Sequence, residues 1–435
     1  MEVWALVMFA ALFLLLLVGF PVAFTLGAVA LGFGSVFLGL DFFNLLPLRI
    51  WGIMTNFTLL AVPLFVFMGV ILEKSGIAEE LLETMGRLFG RIRGGLAISV
   101  VAVGALLAAT TGVVGASVVT MAVIALPAML KHGYAPTLAS GTIAASGTLG
   151  QIIPPSIILI LLGDVIGVPV GQLFIAAAVP GMMLVFAYMA YIGFIAWRHP
   201  ELAPAIKHDP NNDQHLALTV LKSLIPPLAL ILAVLGSIFF GIASPTESAA
   251  VGALGAMILA ALHSKLNLTN LREALQQTTR LTSMVFLILI GATAFGLVFV
   301  GMGGDNLIFD IFNSLPGGKW SFLIVSMLLI FILGFFLDFI EICFIVVPII
   351  APVAIHMGLD PLWFALLIAL NLQTSFLTPP FGFSLFYLKA SAPTLELTTI
   401  YRGVIPFIII QVVVLAVLIS FPSVALWLPS LMESY

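Results

Sequence analysis

The chain has 435 residues, 62% hydrophobic and 8% charged, with mean hydropathy +1.27 and net charge −4. Soluble domains carry about 25% charged residues, so this composition excludes an ordinary water-soluble fold. The few basic residues exclude a phosphate-tracking stripe for nucleic acid, and the single cysteine, Cys343, excludes an intrachain disulfide framework or a multi-cysteine metal site.

A membrane span needs ~20 apolar residues. Residues 3–18 have no basic residue ahead of them and no small-residue cleavage site behind, and so read as a retained first span rather than a leader. In the first half, 1–197, scaffold spans follow at 21–39 and 55–72, then an amphipathic stretch at 76–93. An interrupted apolar stretch at 95–130 predicts a hairpin, 135–163 a broken helix, and 171–197 a further span. Arg198 to His215 is the one long polar run and reads as a linker, 198–215. The second half, 216–435, repeats the series. Spans are expected at 216–241, 246–263 and 281–302, an amphipathic stretch at 267–280, a hairpin at 320–356, a broken helix at 361–389, and a span at 402–421. The two amphipathic stretches suit helices lying along the interface.

The halves carry the same punctuation. An offset of 225 residues superposes Pro127 on Pro352, Gly133 on Gly358, Pro136 on Pro361 and Pro154-Pro155 on Pro379-Pro380. Five crossings per half make the second half inverted. With the linker in the cytoplasm, thirteen of the fifteen Lys and Arg lie inside and only Arg49 and Lys319 outside, as the positive-inside rule expects. Both termini then face the outside. Inverted repeats with broken helices are a transporter architecture.

Lipid cannot satisfy free backbone groups, so breaks at membrane depth must line protein or a wet cavity. Four are expected: Thr110 to Ser117, Ser146 to Gly150 before Pro154-Pro155, Gly334 to Glu341, and Asn371 to Ser375 before Pro379-Pro380. Prolines free upstream carbonyls, which with hydroxyls make hard oxygen ligands suited to sodium, while helix N-termini suit an organic anion. Three acids stand in apolar surroundings: Asp338 and Glu341 near the second hairpin tip, and Glu247, which reads as a cap of its own helix. Asp164 is expected to be solvated. The six histidines show no metal-ligand spacing, and no nucleotide-binding glycine motif or catalytic triad is present.

The runs GFP (19–21), RIRGGLA (91–97), GTLGQIIPPSI (147–157), SPTESAA (244–250), FFLDFIEI (335–342) and TPPFGFSLF (378–386) resemble the large membrane subunit of tripartite ATP-independent periplasmic transporters. The resemblance spans nearly the whole chain. It implies an all-α polytopic membrane protein of two inverted-topology repeats, with two re-entrant hairpins and two broken helices moving as an elevator. It further implies uptake of a small organic acid driven by sodium ions, with no catalysis, in the bacterial inner membrane. The implied partners are a small membrane subunit and a periplasmic substrate-binding protein.

Carried over by position, one sodium site falls at Gly115, Ser117, Gly147, Gly150 and Pro154, and its repeat mate at Gly334, Asp338, Thr374 and Thr378. Substrate falls between them, near Thr111, Ser156, Asn371 and Ser375. Where the family often has a run of serines, this chain has Gly115-Ala116-Ser117, which leaves fewer hydroxyls at the first tip. A stand-alone carrier or ion antiporter of the same fold, without a binding protein, is the alternative reading.

Overall fold

The computed structural model describes residues 1–112, 114–206 and 216–432. The expected linker lies partly outside them, as does the side chain of Thr111. Among the described residues seven helices are long and apolar enough to cross a membrane, and an eighth span arises if one bent pair counts together.

The chain opens with α1 (Glu2–Val18) and α2 (Val22–Phe37). The GFP run between them turns the backbone. Gly19 takes φ +97° and its N–H bonds the Leu15 and Leu16 carbonyls, while Pro21 sits at the N-cap of α2. A short α3 (Leu46–Met54) precedes α4 (Ala61–Lys74) and α5 (Ile77–Phe89), which meet at 56° across Gly76, itself at φ +74°. Then come α6 (Gly95–Thr111) and α7 (Val114–Lys131), a hairpin whose arms are separated by two residues. Two shorter pieces follow, α8 (Pro136–Thr148), extended by a 3-10 turn (Leu149–Gln151), and α9 (Ile157–Ile166). They are parted at Pro154-Pro155, where two successive N–H donors are missing. The half closes with α10 (Val170–Arg198).

After the linker run α11 (Leu216–Phe239), α12 (Pro245–Leu262), α13 (Leu268–Gly301) and α14 (Gly304–Asn313). Ser244 and Glu247 form a capping box at the start of α12, so Glu247 does cap its own helix. A second hairpin follows: α15 (Lys319–Leu333), a non-helical corner, α16 (Phe339–Glu341), a π turn (Ile342–Val346) and α17 (Val347–His356). A second broken helix comprises α18 (Pro361–Leu377) and α19 (Phe383–Ser391), before α20 (Leu397–Ser420) and α21 (Ser423–Met432). A hairpin followed by a broken helix thus occurs twice in the chain.

One expected element differs. The 267–280 stretch is not a separate interfacial helix but the first turns of the 34-residue α13. The reason is local: no Gly or Pro stands between Leu268 and Ile290, whereas the first-half stretch is bounded by Gly76 and by Gly90, Gly94 and Gly95.

The helices pack as two groups. One gathers α1, α2, α4, α12 and α13; the other gathers both hairpins, both broken helices and α20. The seam between α8 and α20 depends on small residues. A Cβ on Gly403 would collide with the Thr137 carbonyl and come 2.9 Å from Ser140 Oγ, and one on Gly141 would collide with the Gly403 carbonyl. Gly403→Leu should therefore separate the two helices and sharply reduce the folded, monodisperse yield in size-exclusion chromatography. Ile405→Leu, on the exposed face of α20, should leave that yield unchanged.

Candidate functional site

The first break is clasped by the first hairpin. A Cβ on Gly150 would stand 2.9 Å from the Ala108 carbonyl in α6, and one on Gly147 would stand 3.1 Å from the Val118 backbone in α7. The Gly150 approach is to main chain, while a Cβ on Gly147 would first collide with the Val118 side chain. Pro154 and Pro155 are buried and cannot bond the carbonyls of Gly150 and Gln151 four residues back. The Gln151 carbonyl instead accepts from Ser156 Oγ at 2.8 Å. Ser117 is fully buried on α7. Gly115 faces the ring of Tyr387 on α19, which a Cβ would meet at 3.1 Å.

The second break has a matching arrangement. Phe376 lies 225 residues after Gln151, and its carbonyl also accepts a downstream serine hydroxyl, from Ser384 at 2.8 Å. Gly334 at the end of α15 abuts Ser375, and Asn371 Nδ2 donates to the Met327 carbonyl at 2.7 Å. The second hairpin and second broken helix therefore meet along one face of α18. Asp338 is the N-cap of α16: its Oδ1 accepts from Phe339 N at 2.7 Å, while Glu341 accepts from Asp338 N at 3.1 Å. The two acids thus fasten the hairpin corner, with Glu341 buried.

The hydroxyls of both breaks share one orientation. Thr110, Thr148, Ser156, Thr374, Ser375 and Thr378 each donate to a nearby main-chain carbonyl, at 2.7 to 2.8 Å. A hydroxyl has a single proton, so each then offers only lone pairs to a guest. Such an array suits a cation. Among the described residues no three His, Cys, Asp or Glu side chains converge on a metal position.

Residues assigned from sequence fall into two clusters. Gly147 and Gly150 are gathered against the first hairpin, while Gly334, Asn371, Thr374, Ser375 and Thr378 lie where the second hairpin meets its broken helix. Tyr387, which the sequence reading passed over, touches the first hairpin at Gly115. It joins the clusters, and its only sequence signal is a phenol within two turns of the TPPFG run. Asp164 is not solvated as expected: it is half-buried and accepts from Asn56 Nδ2 at 2.5 Å. It borders a cavity of about 780 Å³ between α13 and α14 on one side and α9 and α17 on the other, with Arg49 and His356 also at its wall. Cavities of ~300–1,000 Å³ are the usual size of small-molecule sites.

Comparison with known proteins agrees with this architecture. Residues 9–424 match the family model of the tripartite ATP-independent periplasmic transporter, DctM component. The chain is 31% identical over 423 residues to the sialic acid TRAP transporter large permease protein SiaM of Vibrio cholerae, covering 97% of each chain. It is 31% identical over 386 residues to the C4-dicarboxylate TRAP transporter large permease protein DctM of Pseudomonas aeruginosa, covering 88% of this chain and 89% of that one. The solved structure of the Alcanivorax borkumensis YdaH transporter shares the fold, with TM-score 0.62 and 15% identity over 98% of both chains.

A methyl group at Gly147 must displace the Val118 side chain and crowd its main chain at 3.1 Å, so Gly147→Ala should lower the melting temperature of the purified protein. The expected cost is ~1–3 kcal/mol. Gly27→Ala, with open space around its Cβ inside α2, should be neutral or stabilising by up to ~1 kcal/mol. Equal effects at the two positions would contradict the clasp.

Proposed function

This chain belongs to the DctM-component family of tripartite ATP-independent periplasmic transporters, and from that membership we propose that it carries a small organic acid inward by sodium symport. The acid arrives on a periplasmic binding protein, and a small membrane subunit completes the assembly in the bacterial inner membrane. The observation that carries the sodium reading is the common orientation of the hydroxyls, each of which has only oxygen lone pairs left to offer.

One ion is held by main-chain and hydroxyl oxygens around Gly115, Ser117, Gly147, Gly150 and Pro154. The other is held around Gly334, Asp338, Thr374 and Thr378. The solute lies between them, near Thr111, Ser156, Asn371 and Ser375, with Tyr387 beside it. Names of two relatives refer to sialic acid and C4-dicarboxylates, which supports an acidic solute. No Lys or Arg stands in the breaks, so the bound cations balance the charge of the acid.

The two packing groups supply the parts of an elevator. Hairpins, broken helices and α20 travel together, while α1, α2, α4, α12 and α13 stay fixed. Both termini face the periplasm and the linker faces the cytoplasm, which puts the cavity bordered by Arg49 and His356 at the outer mouth.

In proteoliposomes holding both membrane subunits, with the binding protein outside, uptake should require an inward sodium gradient. Full uptake driven by a proton gradient in sodium-free buffer would overturn the coupling. Thr374→Ala and Ser117→Ala should each raise the sodium concentration for half-maximal uptake about tenfold, which is ~1.4 kcal/mol for one lost ligand. An unchanged sodium requirement in both variants would place the ions elsewhere.

A further inference from the structure

Gln151 and Gln373 are completely buried. Among the described residues, neither the amide oxygen nor the amide nitrogen of either side chain has a hydrogen-bond partner. Buried polar groups are almost always paired, so two amides unpaired at both ends mark a place where something else binds.

Their positions are related. Gln151 ends the 3-10 turn just ahead of Pro154-Pro155, and Gln373 lies in the last turns of α18 ahead of Pro379-Pro380. The 3-10 turn packs against α18. Asn371 and Ser375 face the second hairpin. At about 100° per residue Gln373 is turned well away from that face, toward the side of α18 shared with the first broken helix, α10 and α20. Gln151 therefore lies on a turn packed against α18, and Gln373 on the side of α18 away from the second hairpin.

The chemistry of the guest follows from what is unpaired. Each amide offers an acceptor oxygen and a donor NH₂. A sodium ion satisfies only the oxygens and a carboxylate only the N–H groups. An organic solute needs room, and neither residue borders the 780 Å³ cavity. Water both donates and accepts, so one molecule can serve either end of an amide. We propose that Gln151 and Gln373 hold sealed-in water molecules that link the two broken helices at their breaks. The link fixes one break relative to the other. It positions the carbonyls there, whatever solute is carried.

The test uses the wild-type chain in lipid nanodiscs, together with Gln151→Met, Gln373→Met and the double variant. Methionine keeps the unbranched shape and removes the hydrogen-bonding groups. A cryo-EM map fine enough to show waters should place density within ~3 Å of the amide oxygen and nitrogen of both glutamines. Each single variant should melt several degrees lower than wild type, and the double variant should lose less than the sum. A map without that density overturns the proposal, as does one with a metal-like peak bound only by the two oxygens. Higher melting temperatures in both single variants also overturn it, because that is the result of removing amides that nothing satisfies. Strictly additive losses overturn the bridge between the helices. Should the variants fail to fold, the wild-type map decides.

Discussion

A hydrocarbon environment offers no hydrogen bonds, so every main-chain N–H and C=O at membrane depth must find its partner inside the protein. That constraint explains why the regular structure of the described residues is all helical, and why the few places where a helix stops at membrane depth are enclosed. At Pro154-Pro155 and Pro379-Pro380 the helical ladder loses donors it cannot replace. The surrounding structure answers in the same way at both. A serine hydroxyl takes up one stranded carbonyl, and a hairpin closes around the break. Remaining oxygens are left facing the protein interior, where they can coordinate a guest. The proposed site is thus a by-product of breaking a helix under conditions in which breaks must be compensated.

The small residues follow from the same cause. A hairpin can shield a break only if it approaches closely, and a Cβ at Gly150 would crowd the Ala108 carbonyl while one at Gly147 would collide with the Val118 side chain. The glycine and proline punctuation that made the repeat visible in the sequence is therefore the footprint of these approaches. Helix boundaries at Gly112 and before Pro154-Pro155 were legible for that reason. So was the self-capping of Glu247, since a Ser-Pro-Thr-Glu run has a strong local meaning.

What the sequence could not show was set by orientation and long-range contact. Composition places hydroxyls in the breaks but does not reveal which way each proton points. It was the shared local donation of Thr148, Ser156, Thr374 and Thr378 that gave the array its polarity. Asp164 read as solvated because its partner, Asn56, is more than a hundred residues away. Tyr387 and the two buried glutamines carry no periodic or spacing signal, and their meaning comes entirely from burial and neighbours. The 267–280 stretch misled for a different reason. Its amphipathic pattern is real, but a helix continues wherever nothing stops it, and no stop residue lies ahead of Ile290.

That last difference leaves the two halves mechanically unlike. In the first half the chain turns at Gly76, and α5 leans on α6 and α11 as a separate piece, with Thr120 of the hairpin bonded to Glu73 at 2.9 Å across the corner. In the second half α13 is one rod of 34 residues, about 51 Å at 1.5 Å per residue, well beyond a hydrocarbon core of ~30 Å. Lys74, at the elbow, is paired with Glu273 near the start of that rod, at 2.6 Å. One side therefore has a joint and the other a strut, tied together at the joint. The halves therefore differ in where they can bend: at Gly76 in the first, and at no Gly or Pro before Gly291 in the second.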